Sequence, residues 1–291
     1  MRKKYVFNAK VQRKLEGTLF IAPWMIGFVI FLAFPLGFSL YMSFHDIKVV
    51  PGKFVYEYVG TANYKNILTE SSALYDNLIP FFQEAVIMIP IILVFSLLIA
   101  ILLNQKLRGR TLFRAIFFLP VIFSTGYVLV EFVNQGQGTL GFLEKFAIGD
   151  IAGQVLAGSS WAKPVQQVLD RFVLVLWYSG VQILIFLAGR QAISSSAYES
   201  ARIDGASPWE IFWKITLPAM SPYILLNLIY TTVDMFTFPF NPIINLITTG
   251  GGKYGYNSAL VWIYFLIILA FLSVVLFLYS RIHYKYAGKD R

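Results

Sequence analysis

The chain has 291 residues, of which 57% are hydrophobic and only 13% charged, and it has no cysteine. A soluble domain carries about 25% charged residues, so lipid is the natural solvent here, while disulfides, thiolate metal sites and cysteine nucleophiles are excluded. The net charge of +9 raises a nucleic-acid reading, which the placement of the charges answers.

Runs of about 20 mostly apolar residues mark helices that cross a bilayer. In chain order they fall at 18–44, 78–103, 112–134, 168–190, 221–241 and 259–280. The first follows a basic segment, 1–17, but is too long for a signal-peptide core of about 7–15 residues. Residues 45–77 are expected to form an external loop, and 78–280 a core of five spans interrupted by a soluble insert at 191–220. A tail, 281–291, closes the chain. The connection 135–167, rich in Gly, Ser and Gln, reads as a second external segment carrying at most a short helix. Pro23, Pro35, Pro80, Pro90, Pro120 and Pro239 lie in or beside the spans, where kinks are tolerated if neighbours satisfy the exposed carbonyls. The expected fold class is all-α, a polytopic membrane protein with six transmembrane helices.

Of the 24 Lys and Arg residues, 17 lie in the N-terminal segment, the second-to-third connection, the insert and the tail. The positive-inside rule places these parts, and so both termini, in the cytoplasm. The basic excess is thus a topology signal that needs no nucleic-acid partner.

The insert is the most ordered soluble text in the chain. Ser196 with Glu199 and Ser207 with Glu210 each have capping-box spacing, in which serine and glutamate satisfy each other's backbone N–H groups. Pro208 suits a first helical position, Gly205 a left-handed helix end, and Pro218 a stop. The spacing predicts a helix over 197–204, a turn at 205–207 and a helix over 208–217. Ala197, Ser200, Ala201 and Ala206 permit close approach by a partner. Glu199, Arg202, Asp204 and Glu210 supply charge, and Trp209, Ile211, Phe212 and Trp213 suit a membrane interface.

No glycine-rich loop ending in Lys-Ser/Thr is present, since Gly250-Gly251-Gly252 lacks both residues. His45 and His283 fall on opposite sides of the membrane, so neither a metal site nor a Ser/His/Asp constellation is expected. Polar residues within spans remain as clues to a solute path. They are Glu131 with Asn134 in the third span, Trp177, Tyr178 and Gln182 in the fourth, and Asn227, Tyr230, Thr231, Asp234 and Asn241 in the fifth. Asn227, Tyr230 and Asp234 share one helical face, and an aromatic ring beside a carboxylate and amides suits a sugar. Hydrogen bonding between helices is the other reading of the same residues, and of Glu84.

Residues 196–218 resemble the EAA signature of permeases in binding-protein-dependent ABC importers. Glu199, Ala201, Gly205, Ile215, Leu217 and Pro218 fall on the pattern, with Ser200 in place of its second alanine. Leu19 through Trp24, Phe34-Pro35-Leu36 with Ser43-Phe44, Gly60 with Asn63-Tyr64, and Thr249 through Gly252 resemble further segments of the sugar-type permeases. Segment 135–167 and the short stretch after Gly252 depart from that text.

The resemblance implies a type I importer permease in a bacterial inner membrane. Its insert would be a coupling helix seated in an ATPase cleft, with contacts from Glu199, Ser200, Ala201, Asp204, Gly205, Ala206, Ile215, Leu217 and Pro218. It further implies a homologous second permease, two ATPase subunits holding ATP and Mg, an extracytoplasmic binding protein and a carbohydrate cargo. The chain itself would hold no cofactor and catalyse nothing. Within this class a glycerol-phosphate ester or a peptide is the alternative cargo. An ion-coupled secondary transporter using Glu131 and Asp234 is the rival from outside it.

Overall fold

Long apolar runs close their backbone hydrogen bonds within themselves because lipid offers no partners, and the computed structural model is accordingly mostly helical. It describes residues 9–105, 112, 162–238, 241–249 and 252–287. They divide into two compact units, one of residues 1–74 with 247–266 and one of 75–246 with 267–291.

In the first unit, α1 (Ala9–Phe28) and α2 (Phe34–Ser43) are joined by a π-helical turn, Val29–Ala33. The turn has a cause. Pro35 has no N–H and would crowd the carbonyl one α-turn back. The widened turn, closed by the Phe34 N–H on the Val29 carbonyl, carries the chain past it. The stretch Arg13–Ser43 is long and apolar enough to cross a membrane. Phe20 and Phe31 on it are 89% and 81% exposed, a surface suited to lipid and unfavourable in water.

The all-α expectation needs one correction. Residues 45–58, read as loop, form an antiparallel hairpin of β1 (His45–Val50) and β2 (Lys53–Tyr58), with His45 opposite Tyr58 and Val50 opposite Lys53. Pro51 and Gly52, the latter at φ 84°, make the turn. A Pro-Gly pair between β-branched and aromatic residues was the available signal.

After the hairpin come the short α3 (Ala62–Lys65) and a second π turn, Asn66–Glu70. Gly60, at φ 58°, sets the entry. Asn63 then donates from Nδ2 to the carbonyls of Ser43 and His45 at 3.0 and 3.2 Å, and the Tyr64 and Ser43 hydroxyls share a 2.6 Å hydrogen bond. The Gly60-Asn63-Tyr64 text therefore clasps the end of α2 to α3. His45 is buried, its ring 4.1 Å from that of Tyr41. A Cβ at Gly255 would overlap the His45 carbonyl, so only glycine fits there.

The second unit is built on α4 (Ala73–Asn104) and α5 (Ala162–Ala192). The insert helices α6 (Ser195–Ile203) and α7 (Pro208–Ile211) follow. A third π turn, Phe212–Thr216, leads to α8 (Leu217–Ala219), α9 (Ser221–Thr237) and α10 (Pro242–Thr249). The last helix, α11 (Tyr254–Ala287), runs on from the first unit into this one. One core packs Leu97, Ala100 and Leu103 of α4 against Ile183, Phe186 and Leu187 of α5, with Met220 completing it. A second cluster sets Phe81 and Phe82 of α4 and Phe271 of α11 around Phe236 of α9, with ring centroids 5.0–5.4 Å apart. The Phe81 and Phe82 contacts are edge-to-face, and such pairs add about 0.5–1.5 kcal/mol each beyond area burial. Gly189 lets α5 approach α9 closely, because a Cβ there would overlap the Tyr223 ring.

Among the described residues, three helices are long and apolar enough to span: Arg13–Ser43, Leu74–Asn104 and Tyr254–Arg281. Ser221–Thr237 with Pro242–Thr248 makes a fourth if the bent pair counts as one. Helix α5 has the length, but Ser179, Gln182 and Arg190 lower its apolarity. It also begins at Ala162, inside the segment expected to be loop. The expected third span, 112–134, lies outside the described residues except for Leu112, as do Glu131, Gly250 and Gly251.

Candidate functional site

Two places gather most of the described residues singled out in the sequence, the insert and the contact between α5 and α9, while Glu84 lies on α4 and Glu131 and Asn134 lie outside the described residues.

In the insert, the first capping box is not formed. Ser194 is the N-cap of α6, without a side-chain capping bond to the helix backbone. Ser196 already lies inside the first turn, and its hydroxyl donates to Ser194 Oγ at 3.2 Å. A helical backbone at Ser196 turns its oxygen away from the N–H groups it was expected to cap. The other end of α6 matches expectation. Gly205 takes φ 79°, the Gly205 N–H bonds the Arg202 carbonyl at 3.1 Å, and the Ala206 N–H bonds the Ala201 carbonyl at 2.9 Å. These two bonds make a Schellman turn, which suits a residue without a Cβ.

The second capping box is complete. The Ser207 N–H donates to Glu210 Oε2 at 2.9 Å, and the Glu210 N–H donates to Ser207 Oγ at 3.3 Å. The Ser207 N–H, helped by its hydroxyl and by Lys214, holds the Glu210 carboxyl below its ordinary range. Pro218, expected to stop the helix, does not. The Leu217 N–H reaches back to the Phe212 carbonyl, and the widened turn carries the helix through the proline, as it does before Pro35.

This frame sorts the insert's residues. Ala201 is buried, Ala206, Ile215 and Leu217 are half-buried, and Leu217 packs on the α4–α5 core. Glu199, Ser200, Asp204, Gly205 and Pro218 are exposed. The side chains of Glu199 and Asp204 make no hydrogen bond or ion pair among the described residues. Ile203 and Trp209 stand out at 85% and 69% exposed. Beside α6 lies an open depression of about 500 Å³ lined in part by Asn104, Arg190, Gln191, Glu199 and Arg202.

At the α5–α9 contact, the polar residues meet. Gln182 donates from Nε2 to Thr231 Oγ1 at 3.2 Å, and Asn227 donates from Nδ2 to the Gln182 carbonyl at 3.2 Å. All three are fully buried. Gln182 Oε1 and Asn227 Oδ1 have no donor among the described residues. Gln182 and Asn227 thus stitch one helix to the other. Asp234 and Tyr230 lie at the half-buried edge of the same stripe, and the Tyr178 ring packs 5.1 Å from that of Phe238.

A family described as "binding-protein-dependent transport system inner membrane component" matches residues 66–287. The chain belongs to that family.

Relatives of this permease carry related names. It is 30% identical over 95% of its length to a probable ABC transporter permease protein, YesP, of Bacillus subtilis, covering 94% of that protein. It is 30% identical over 89% of its length to the multiple sugar-binding transport system permease protein MsmF of Streptococcus mutans, covering 93% of it. Among solved structures, it matches a bacterial alginate ABC transporter, crystallised with an alginate pentasaccharide-bound periplasmic protein. That match has a TM-score of 0.67 and 18% identity and covers 94% of this chain and 97% of that one. The permease therefore has the ABC importer permease fold.

One residue of the permease's insert escaped the sequence reading. Tyr198 is buried although Glu199 and Ser200 beside it on α6 are exposed. Its hydroxyl lies 3.1 Å from Thr216 Oγ1, and the Arg190 guanidinium carbon sits 4.0 Å from its ring centroid. The signal was the spacing of Tyr198 and Ala201, three apart and so on one helical face. No group of three or more His, Asp or Glu residues able to hold a metal occurs among the described residues.

Proposed function

We propose that this permease is one of two transmembrane subunits of an ATP-driven importer, and that its cargo is a carbohydrate, most simply an oligosaccharide. The insert carries the reading. It is a capped, turn-locked pair of helices that leaves Glu199 and Asp204 exposed and uncommitted, next to a depression lined by two arginines. A transporter without a phosphate-binding loop of its own needs such a grip on an ATPase. The names of relatives that carry sugars support the choice of cargo.

In this reading α1–α2, α4, α5, the α9–α10 pair and α11 supply five spans, and 112–134 supplies the sixth. Both termini and the insert face the cytoplasm of a bacterial cell. Two ATPase subunits bind ATP and Mg, and a homologous permease completes the pathway. A binding protein delivers cargo to the opposite face, where 45–77 and 135–167 receive it. Tyr178, Tyr230 and Asp234, half-buried beside the α5–α9 seam, line the path, with Glu131 near its outer end. Closing the ATPase pair moves the insert and shifts the spans between two states.

The test is reconstitution in vesicles with the second permease, the ATPase and the binding protein. Oligosaccharide uptake should require both ATP and loaded binding protein. Uptake driven by a proton or sodium gradient without ATP would overturn the reading, as would a Glu199→Ala variant that still binds and couples to the ATPase normally.

A further inference from the structure

Helix α6 has nine residues, too few to hold a direction by themselves. Its Schellman turn closes one end and its N-cap makes no side-chain capping bond, and neither sets its angle to the spans. The links on either side, 193–194 and 204–207, are short and non-helical. Only Tyr198 and Ala201 of this helix are buried, and Ala201 offers only a methyl group.

Tyr198 reaches two elements at once. Its ring lies under Arg190, in the last turn of α5, with 4.0 Å between guanidinium carbon and ring centroid. Its hydroxyl bonds Thr216, which closes the π turn ahead of Pro218, at 3.1 Å. Each contact leads to one side of the buried seam. Arg190 is about two helical turns from Gln182 along α5. From Thr216 the chain passes through Met220, whose N–H bonds the Thr216 carbonyl at 2.9 Å, directly into α9. The seam then ties α5 to α9 through Gln182, Asn227 and Thr231. Tyr198 closes the triangle at its insert corner.

We infer that Tyr198 is a positioning residue that makes the insert move as one body with α5 and α9, so that displacement of α6 reaches the solute path without being lost at its short links. The inference rests on the coupling role proposed for the insert. Loss of Tyr198 leaves the exposed face of α6 intact and able to bind, but lets the helix swivel when pushed. The signature is therefore wasted ATP hydrolysis with docking retained.

The experiment uses the full transporter in vesicles, with ATPase stimulated by loaded binding protein and uptake counted per ATP hydrolysed. Tyr198→Phe keeps the ring under Arg190 and removes only the bond to Thr216, and Thr216→Val removes the same bond from the other end. Each should lower uptake per ATP about fivefold, the scale of one hydrogen bond. The double variant should add nothing further. Thr216→Ser should restore the ratio, and Tyr198→Leu, which removes the ring as well, should lower it more. Co-purification of the ATPase should stay at the wild-type level in Tyr198→Phe and Thr216→Val. An unchanged ratio in Tyr198→Phe and Tyr198→Leu overturns the inference. Loss of assembly in both conservative variants also overturns it, because Tyr198 would then serve folding or docking. If Glu199→Ala uncouples transport while the Tyr198 variants do not, this inference falls alone. If Glu199→Ala changes nothing, the coupling reading itself has failed.

Discussion

Two stretches of this permease carry family-like text, and they use it in opposite ways. Around the hairpin, Gly60, Asn63 and Tyr64 are consumed by structure. The asparagine amide serves two backbone carbonyls and the tyrosine hydroxyl serves Ser43. In the insert, the structural tasks fall to Ala201, Gly205 and the Ser207–Glu210 box, while Glu199 and Asp204 stay exposed without partners among the described residues. Motif residues that are already satisfied explain a fold. Those left polar, exposed and rigidly presented point to a partner.

The largest effect expected from this contrast is at Gly205. Its φ of 79° is closed to proline, which is fixed near −65°. Gly205→Pro should break the Schellman turn and abolish ATP-driven uptake while the protein still inserts and α4 and α5 still pack. Retained uptake would mean that the shape of the insert is irrelevant. The next effect is at Asn63. Asn63→Ala removes two hydrogen bonds and leaves two carbonyls without that donor, a loss of about 1–3 kcal/mol. It should appear as a lower Tm in detergent with ATPase co-purification unchanged. Reduced ATPase binding in this variant would erase the distinction between the regions. Glu199→Ala should behave inversely, with stability within about 0.5 kcal/mol of wild type, as for other exposed positions, and with weakened ATPase binding.

Helical spans were legible because their apolar runs are long, and the insert's turn because glycine, serine and proline mark helix ends by local chemistry. Local signals also misled where another turn geometry competed. Pro218 read as a stop because a proline breaks α-helical bonding, yet a π turn absorbs it. The same device precedes Pro35, which suggests that a proline after a long apolar or aromatic run signals a widened turn as readily as an end. Ser196 had the spacing of a cap, but the helix began two residues earlier than expected, with Ser194 as its N-cap, and spacing alone does not say which serine leads. Hairpin 45–58 was hidden by expecting only loops between spans, although Pro51-Gly52 stood in view. Asn227, Tyr230 and Asp234, expected on a solute path, were legible as one helical face, while the division of the polar residues into a buried seam and a half-buried edge depends on how α5 packs on α9. Tyr198 escaped because its two partners lie 8 and 18 positions away along the chain.

The smallest expected effect distinguishes the two regions by pH. In the insert, Glu210 is held below its ordinary value of 4.5, first by the Ser207 N–H. Its support for α7 is therefore present above the ordinary carboxylate range and fades as pH falls through the lowered value. In the hairpin, Lys48 bonds Glu57 at 2.8 Å. That hydrogen bond lowers the Glu57 carboxyl and raises the Lys48 ammonium. The pair thus fails at both extremes, in acid as Glu57 protonates and in base as pH rises through the raised Lys48 value. Both pairs are solvent-exposed, so each effect is small and screened by salt. Amide exchange should show the first turn of α7 opening in acid and the hairpin loosening in acid and again above about pH 10.5. At the alkaline end the Ser207–Glu210 box should hold, because its main donor is a backbone N–H with no proton to lose in that range. Equal alkaline loosening of both regions would show that Lys214, and not the serine cap, anchors Glu210.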